Sequence, residues 1–357
     1  MRAALYHGRR DVRVEETDAP AGPGADELRV SVTACGVCGS DLHEYAAGPI
    51  AVPAEDPHPV TGETLPVSLG HEFAGKVTEV GAGVSDITAG DPVTVNPILY
   101  CGECRHCAAG THNRCESGGF IGLSGGGGGL AEEVVVPRES AIELPADLPV
   151  EYGALAEPFS VGLHAVRRSS LSPGDSAAVY GTGPVGLATV QAARVAGART
   201  VYAIEPQDTR RALAAGVGAD ETLDPTETET VRHIHERTGG GVDVSFEAAG
   251  VQQTLTDAVA ATAAGGHTTV ISQFGDTVEL DPNLLVAGER SLGGTLAYKG
   301  GPRSDETFGP VVDMFESGAL DPGPLITTRI PLDDVVEDGF EALLDPNREE
   351  GKILVEL

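Results

Sequence analysis

Two textures follow one another along the chain. Over the first 155 residues, apolar positions alternate with polar ones or form short β-branched runs, as in Leu28–Val32, Phe73–Val80, Asp91–Val95 and Leu130–Val136, with Gly, Asp and Pro turns between. That period of two marks strands with one face on a core, and helical spacing is scarce there. Near residue 158 the period changes. Ser176–Tyr180 reads as a short buried strand, a glycine turn follows, and Pro184–Ala196 carries helical spacing up to Gly197. Thr200–Glu205 and Asp208–Ala215 repeat strand and helix, and strand-like Asp243–Ala248 and His267–Gln273 each come after a helical stretch. Strands alternating with helices of this length predict a parallel, doubly wound α/β sheet. Beyond Leu292–Tyr298, two more helical patterns lead to a closing strand, Lys352–Leu357. Periodicity assigns this tail to neither half.

Length and charge narrow the classes. At 357 residues the chain is long enough for two domains. Its 54 Asp and Glu against 23 Lys and Arg give a net charge of -31, and the lysines are Lys76, Lys299 and Lys352 alone. Such a polymer repels phosphate backbones and lipid headgroups, so neither nucleic acid nor a membrane is an expected partner. No run of 18 apolar residues occurs, and the N-terminal MRAALYHGRRDVRVEE has no apolar signal core, so the expected location is the cytoplasm. The acidity has two readings, an ordinary solvated surface or adaptation to multimolar salt. At about 1 M ionic strength the Debye length is about 3 Å, which quiets carboxylate repulsion. Arginine in place of lysine and the 4% aromatic content favour the salt-adapted reading.

Three constellations carry chemistry. Cys101-x2-Cys104-x2-Cys107-x7-Cys115 can surround one tetrahedral ion, and four thiolates leave no open position, so the site is structural zinc. Disulfides and an iron–sulfur cluster are the alternatives. Cys38, His71 and Glu157 are dispersed in CGSDLH, LGHEF and AEPF. Their types suit a catalytic zinc with one position left for water or alcohol. Taken singly, each reads equally as a buried thiol, a core histidine or a surface glutamate. Cys35 and Cys38 form C-x-x-C, but no βαβ pattern adjoins them and Cys35 reads as a small buried residue. Third, Gly181-x-Gly183-x-x-Gly186 follows a strand and opens a helix, with Glu205 closing the next strand. In that setting Gly181, Gly183, Pro184, Val185 and Gly186 form a dinucleotide-binding turn. Glu205 would bond the adenosine ribose and repel a 2′-phosphate, predicting NAD(H) over NADP(H), with Arg210 and Arg211 near enough to soften that preference. The run Gly125–Gly129 lacks a following Lys-Ser/Thr, so it is a tight or mobile loop and no phosphate loop.

With these residues assembled, the chain resembles the zinc-dependent medium-chain alcohol dehydrogenases over essentially its whole length. The match runs through Cys38-Gly39-Ser40-Asp41-Leu42-His43, Gly70-His71-Glu72, the four-cysteine lobe, Glu157-Pro158 and the glycine fingerprint, in family order. The resemblance implies a GroES-like β catalytic domain, 1–157 and 296–357, around a Rossmann domain, 158–295. Residues 48–75, with SDLHEY and GFIGLSGGGGGLAEE, look like the 2,3-butanediol dehydrogenase subgroup. A sorbitol- or glucose-type polyol dehydrogenase and a broad-range alcohol dehydrogenase of the same fold are the alternatives, and a non-catalytic zinc- and nucleotide-binding protein is the rival of another class.

Carried over residue by residue, the resemblance implies a catalytic zinc on Cys38 and His71 with Glu72 and Glu157 in or beside its sphere. Asp41 would orient the His71 imidazole. Ser40 would take the hydroxyl proton, His43 would pass it to solvent through the cofactor ribose, and hydride would move to the nicotinamide. A small alcohol or diol is the expected partner, and a homotetramer or homodimer the expected assembly.

Overall fold

The computed structural model describes residues 1–345 and 350–357. Three β assemblies build the N-terminal part. Arg2–Gly8 lies between Asp11–Glu16 and Val67–Ser68. A seven-stranded mixed sheet runs Ala141–Glu143, Pro92–Val95, Glu72–Val80, Glu27–Gly36, Lys352–Glu356, Ile326–Pro331, with Glu133–Pro137 also paired to Glu27–Gly36. Ile98–Leu99 and Gly119–Phe120 form a ribbon beside the four-cysteine segment. Glu27–Gly36 is the spine of the mixed sheet, and its alternation places Leu28, Val30, Val32 and Ala34 in the interior. Leu28, Val30, Phe73, Val77, Val93, Leu130, Ile330 and Ile353 share one apolar core.

The periodicity left the C-terminal tail unassigned, and strand pairing settles it. Lys352–Glu356 joins Glu27–Gly36 antiparallel and Ile326–Pro331 parallel, so the end of the chain completes the first sheet. Leu354 and Val355 are fully buried there.

The second unit is the six-stranded parallel sheet in the order Glu221–Leu223, Thr200–Ile204, Ser176–Tyr180, Val242–Glu247, Thr262–Val270, Ser291–Gly294. Numbered along the chain this is 3-2-1-4-5-6, whose order reverses between Ser176–Tyr180 and Val242–Glu247, the place where open α/β sheets bind ligands. Ser176–Tyr180 is buried at every position, as a central parallel strand must be.

Several boundaries differ from the sequence pattern. Leu130–Glu132 precedes the strand, which is Glu133–Pro137. The fifth parallel strand is Thr262–Val270, starting directly after helix Gln252–Ala261, so Ile271–Gln273 forms a loop. Helix Gly39–Ala47 was not read from periodicity, because two of its four buried positions are the acids Asp41 and Glu44. The glycine run is tight: a Cβ on Gly129 would meet Phe73 at 2.5 Å, and the Gly129 N–H donates to Gly70 O at 2.7 Å, beside His71. Among the described residues no helix is long and apolar enough to cross a membrane.

Candidate active site and metal centres

Cys38, Ser40, Asp41 and His43 sit on or directly before helix Gly39–Ala47, which starts where the spine strand ends. Cys38 is the N-cap, and its N–H donates to Asp41 Oδ2 at 2.9 Å, so the carboxylate ties down the helix start. His71 directly precedes the neighbouring strand, Glu72–Val80. Antiparallel pairing sets Gly36 opposite Glu72, which brings Cys38 up to His71.

Cys38 Sγ, a His71 ring nitrogen and a Glu72 carboxylate oxygen lie within 4.8 Å of one another. Asp41 Oδ1 stands 3.5 Å from His71 Nδ1, and Ser40 Oγ is 3.1 Å from Nε2. The imidazole therefore faces a carboxylate through Nδ1, with no hydrogen bond formed between them, and Ser40 through Nε2, a placement from which a carboxylate can orient a metal-binding histidine. Lys352 is buried beside this cluster, where it donates to Glu72 and, at 3.0 Å, to the Val37 carbonyl. Glu157, in the first turn of helix Ala156–Arg168, is buried nearby but outside the 4.8 Å set, and the Tyr298 hydroxyl donates to its Oε1 at 2.6 Å. His43 is exposed one turn beyond Ser40. Cys35 is fully buried, as expected. No motif marks Lys352 or Tyr298 as a site residue; the rarity of lysine was the one available signal for Lys352.

The pocket is short of positive charge. Burial, then the charge of Glu72, pushes the Glu157 carboxyl up to about 7. Burial also drives the Cys38 thiol up. On His71 burial acts downward, yet Asp41 and Cys38 outweigh it and hold the imidazole well above its ordinary value. Asp41 Oδ1, His71 Nδ1 and Glu72 Oε1 are buried without a hydrogen-bond partner. Converging thiol, imidazole and carboxylates with unsatisfied atoms fit a divalent cation, and this donor set suits zinc.

The four-cysteine lobe passes a stricter geometric test. Its sulfurs are 3.5 Å (Cys101–Cys115), 3.6 Å (Cys104–Cys107), 3.9 Å (Cys101–Cys107) and 3.9 Å (Cys104–Cys115) apart. A tetrahedron with Zn–S bonds of about 2.3 Å has edges of about 3.8 Å. No pair is bonded as a disulfide, and a multi-iron cluster would hold the sulfurs farther apart. The arrangement fits a single ion.

At the reversal of the parallel sheet, Gly181 takes a left-handed φ of 89°, and a Cβ there would meet Ala249 at 2.8 Å. A Cβ on Gly186 would meet Gly181 O at 2.0 Å, whereas Gly183 faces open space. Those are the requirements of a turn that packs behind and admits a pyrophosphate in front. Gly183 is the N-cap of helix Pro184–Val195, with Pro184 and Val185 partly exposed. Glu205 is buried; its carboxylate accepts from Thr182 N–H at 3.0 Å and Gln207 N–H at 3.2 Å. Arg210, expected at the cofactor, is directed instead at the Glu350 carbonyl, 3.2 Å away. Arg211 is occupied by Asp208, Asp224 and the Glu205 carbonyl. Chain folding drew both arginines to nearer acceptors.

Comparison with known proteins agrees with this geometry. Residues 24–146 match the alcohol dehydrogenase GroES-like domain and residues 184–317 match the zinc-binding dehydrogenase domain. The chain is 43% identical over 357 residues to (R,R)-butanediol dehydrogenase of Bacillus subtilis strain 168, with 99% of each covered. A crystal structure of 2R,3R-butanediol dehydrogenase from Bacillus subtilis superposes with a TM-score of 0.92 at 42% identity, covering 100% of this chain and 99% of that one. Sorbitol dehydrogenase of Bacillus subtilis strain 168 is 31% identical, covering 99% and 97%. A structure from Sinorhizobium meliloti 1021 bound to NADP gives a TM-score of 0.88 at 35% identity, covering 100% and 99%. The chain belongs to the zinc-dependent medium-chain alcohol dehydrogenase family.

Proposed function

We propose that this enzyme is an NAD(H)-dependent dehydrogenase of vicinal diols, interconverting a substrate such as 2,3-butanediol with acetoin. The observation that carries the reading is the full-length 43% identity to (R,R)-butanediol dehydrogenase, joined to an intact Cys38, His71 and Glu72 cluster. In this reading residues 1–157 and 296–357 form the catalytic domain and 158–295 the dinucleotide domain.

Cys38 and His71 would hold the catalytic zinc, with Glu72 in reach and Glu157 hydrogen-bonded to Tyr298. Cys101, Cys104, Cys107 and Cys115 would hold the structural ion. A bound zinc would supply the Lewis acidity that favours loss of the alcohol proton near neutral pH, and a nicotinamide cofactor would supply the hydride acceptor. The remaining work falls to side chains. Asp41 fixes the His71 ring. Ser40, next to Nε2, takes the hydroxyl proton, and exposed His43, three residues on along one helix face, hands it outward. Buried Glu205 receives the adenosine ribose, and the engagement of Arg210 and Arg211 elsewhere supports NAD(H) over NADP(H). Ser291–Gly294 ends the parallel sheet as an open edge with Leu292 and Leu296 exposed, a surface suited to a second copy in a homodimer or homotetramer. The net charge of -31 supports work in concentrated salt inside the cytoplasm.

The test is initial-rate kinetics in about 3 M KCl, where surface repulsion is screened. Butanediol stereoisomers, acetoin, sorbitol, glucose and a primary alcohol are each assayed with both cofactors. A lead for butanediol and acetoin with NAD(H) is expected. A lead for sorbitol would transfer the assignment to the polyol reading, which the sorbitol dehydrogenase similarity favours second. Glu205→Ala is expected to shift the NAD/NADP ratio by about tenfold toward NADP, the equivalent of about 1.4 kcal/mol; an unchanged ratio would remove Glu205 from the cofactor assignment.

A further inference from the structure

Glu247 closes the fourth parallel strand, directly across from Tyr180 and the glycine turn, and it is fully buried. No cation pairs with it among the described residues. Its carboxylate is instead saturated by hydroxyl and backbone donors from two different loops. Oε1 accepts from Ala249 N–H at 2.9 Å, Gly250 N–H at 2.8 Å and the Thr254 hydroxyl at 2.7 Å. Oε2 accepts from the Ser272 hydroxyl. The first three donors belong to the turn and helix after the fourth strand, and the last to the loop after the fifth. The Glu247 backbone carbonyl adds a bond from Ile271 N–H at 2.8 Å. The two loops also touch, since a Cβ on Gly250 would meet Gln273 O at 2.7 Å.

This placement gives the residue a task. The loop containing Ala249 is the one against which Gly181 packs, so it walls the cleft opposite the fingerprint helix at the point where the sheet order reverses. Burying a carboxylate is costly unless every acceptor is filled, and filling it with charge-assisted bonds orders whatever supplies the donors. We propose that Glu247 is a positioning residue of the dinucleotide cleft, which clamps the loops after the fourth and fifth parallel strands into one rigid wall for the nicotinamide half of the cofactor. The proposal rests on the NAD(H) assignment and deepens it.

Glu247→Leu keeps the volume and removes every acceptor, whereas Glu247→Gln keeps an oxygen for the three donors of the first loop and lets the Ser272 hydroxyl turn to accept from the amide. NADH is titrated into each holoenzyme by fluorescence, beside KM for NAD, kcat and the thermal midpoint. Glu247→Leu is expected to weaken NADH binding about tenfold or more, with KM for NAD rising in step and kcat at saturating NAD within about threefold. Glu247→Gln is expected to restore binding to within about threefold of the parent. Should Glu247→Leu fail to fold, Ser272→Ala carries the test: it removes the carboxylate's tie to the loop after the fifth strand, leaving the Ile271 backbone bond, and is expected to raise the NADH Kd severalfold at nearly unchanged thermal midpoint. NADH affinity unchanged in the variants that fold would overturn the proposal, as would a fall in kcat at constant KM for NAD. Absence of saturable NADH binding by the parent enzyme would instead refute the cofactor assignment itself.

Discussion

The four sulfurs of the lobe come from one fifteen-residue stretch, Cys101 to Cys115, and only Cys107 among them is buried. The Cys38 cluster draws on a helix N-cap, the start of a neighbouring strand and, with Glu157, Tyr298 and Lys352, three further places along the chain, nearly all of them buried. The lobe needs only local turns to close, and every sulfur can serve the ion. The Cys38 cluster needs the mixed sheet, its last strand and the dinucleotide-side helix to be in place first. It also holds more acceptors than one ion needs, along with a competing ammonium. A site assembled by tertiary structure can keep a position open for substrate, and a site closed by local sequence cannot.

This contrast can be broken experimentally. The largest effect is expected for His71→Ala, with activity falling by about 10³-fold or more, since Lewis acidity contributes several kcal/mol. Zinc analysis should then show one ion lost while the thermal midpoint stays close to the parent; a parallel collapse in stability would erase the distinction between the sites. Cys104→Ser reverses the pattern. It opens the closed site, so unfolding should become easier by roughly 2–4 kcal/mol, while the correctly folded fraction retains its specific activity. Loss of activity without loss of stability would mean that the lobe takes part in turnover.

Asp41→Asn sharpens the comparison at its second level. The amide can still accept the Cys38 N–H but no longer presents a charge to His71, so chelator competition should show metal held about 10–100-fold more weakly at the Cys38 cluster alone. The smallest effect is expected for Glu157→Ala, about tenfold in zinc affinity at that cluster. Full activity and full occupancy in this variant would leave Glu72 as the sole carboxylate donor.

Legibility followed the same division. The glycine turn and the clustering of the four cysteines were legible because each depends on residues near in sequence: a turn before a helix, four thiols within one loop. Strand existence was equally plain in the alternation of Glu27–Gly36 and the unbroken burial of Ser176–Tyr180. Helix Gly39–Ala47 escaped because Asp41 and Glu44 occupy interior positions that a hydrophobic pattern assigns to apolar side chains. Arg210 shows a related limit: proximity in sequence to Glu205 says nothing of where a long, flexible side chain finds its acceptor, and here its guanidinium reaches the Glu350 carbonyl.

By itself, the sequence determined the two textures, the spacing of the four cysteines, the glycine turn between a strand and a helix, the net negative charge and, through its ordered motifs, the family. Tertiary structure alone decided that the chain end completes the first sheet and that Lys352 faces Glu72. It decided too that Tyr298 holds Glu157 and that Glu247 fastens two loops together. Those arrangements join residues distant along the chain, through strand pairing and the demand that each buried polar group find a partner, and no local spacing records that outcome.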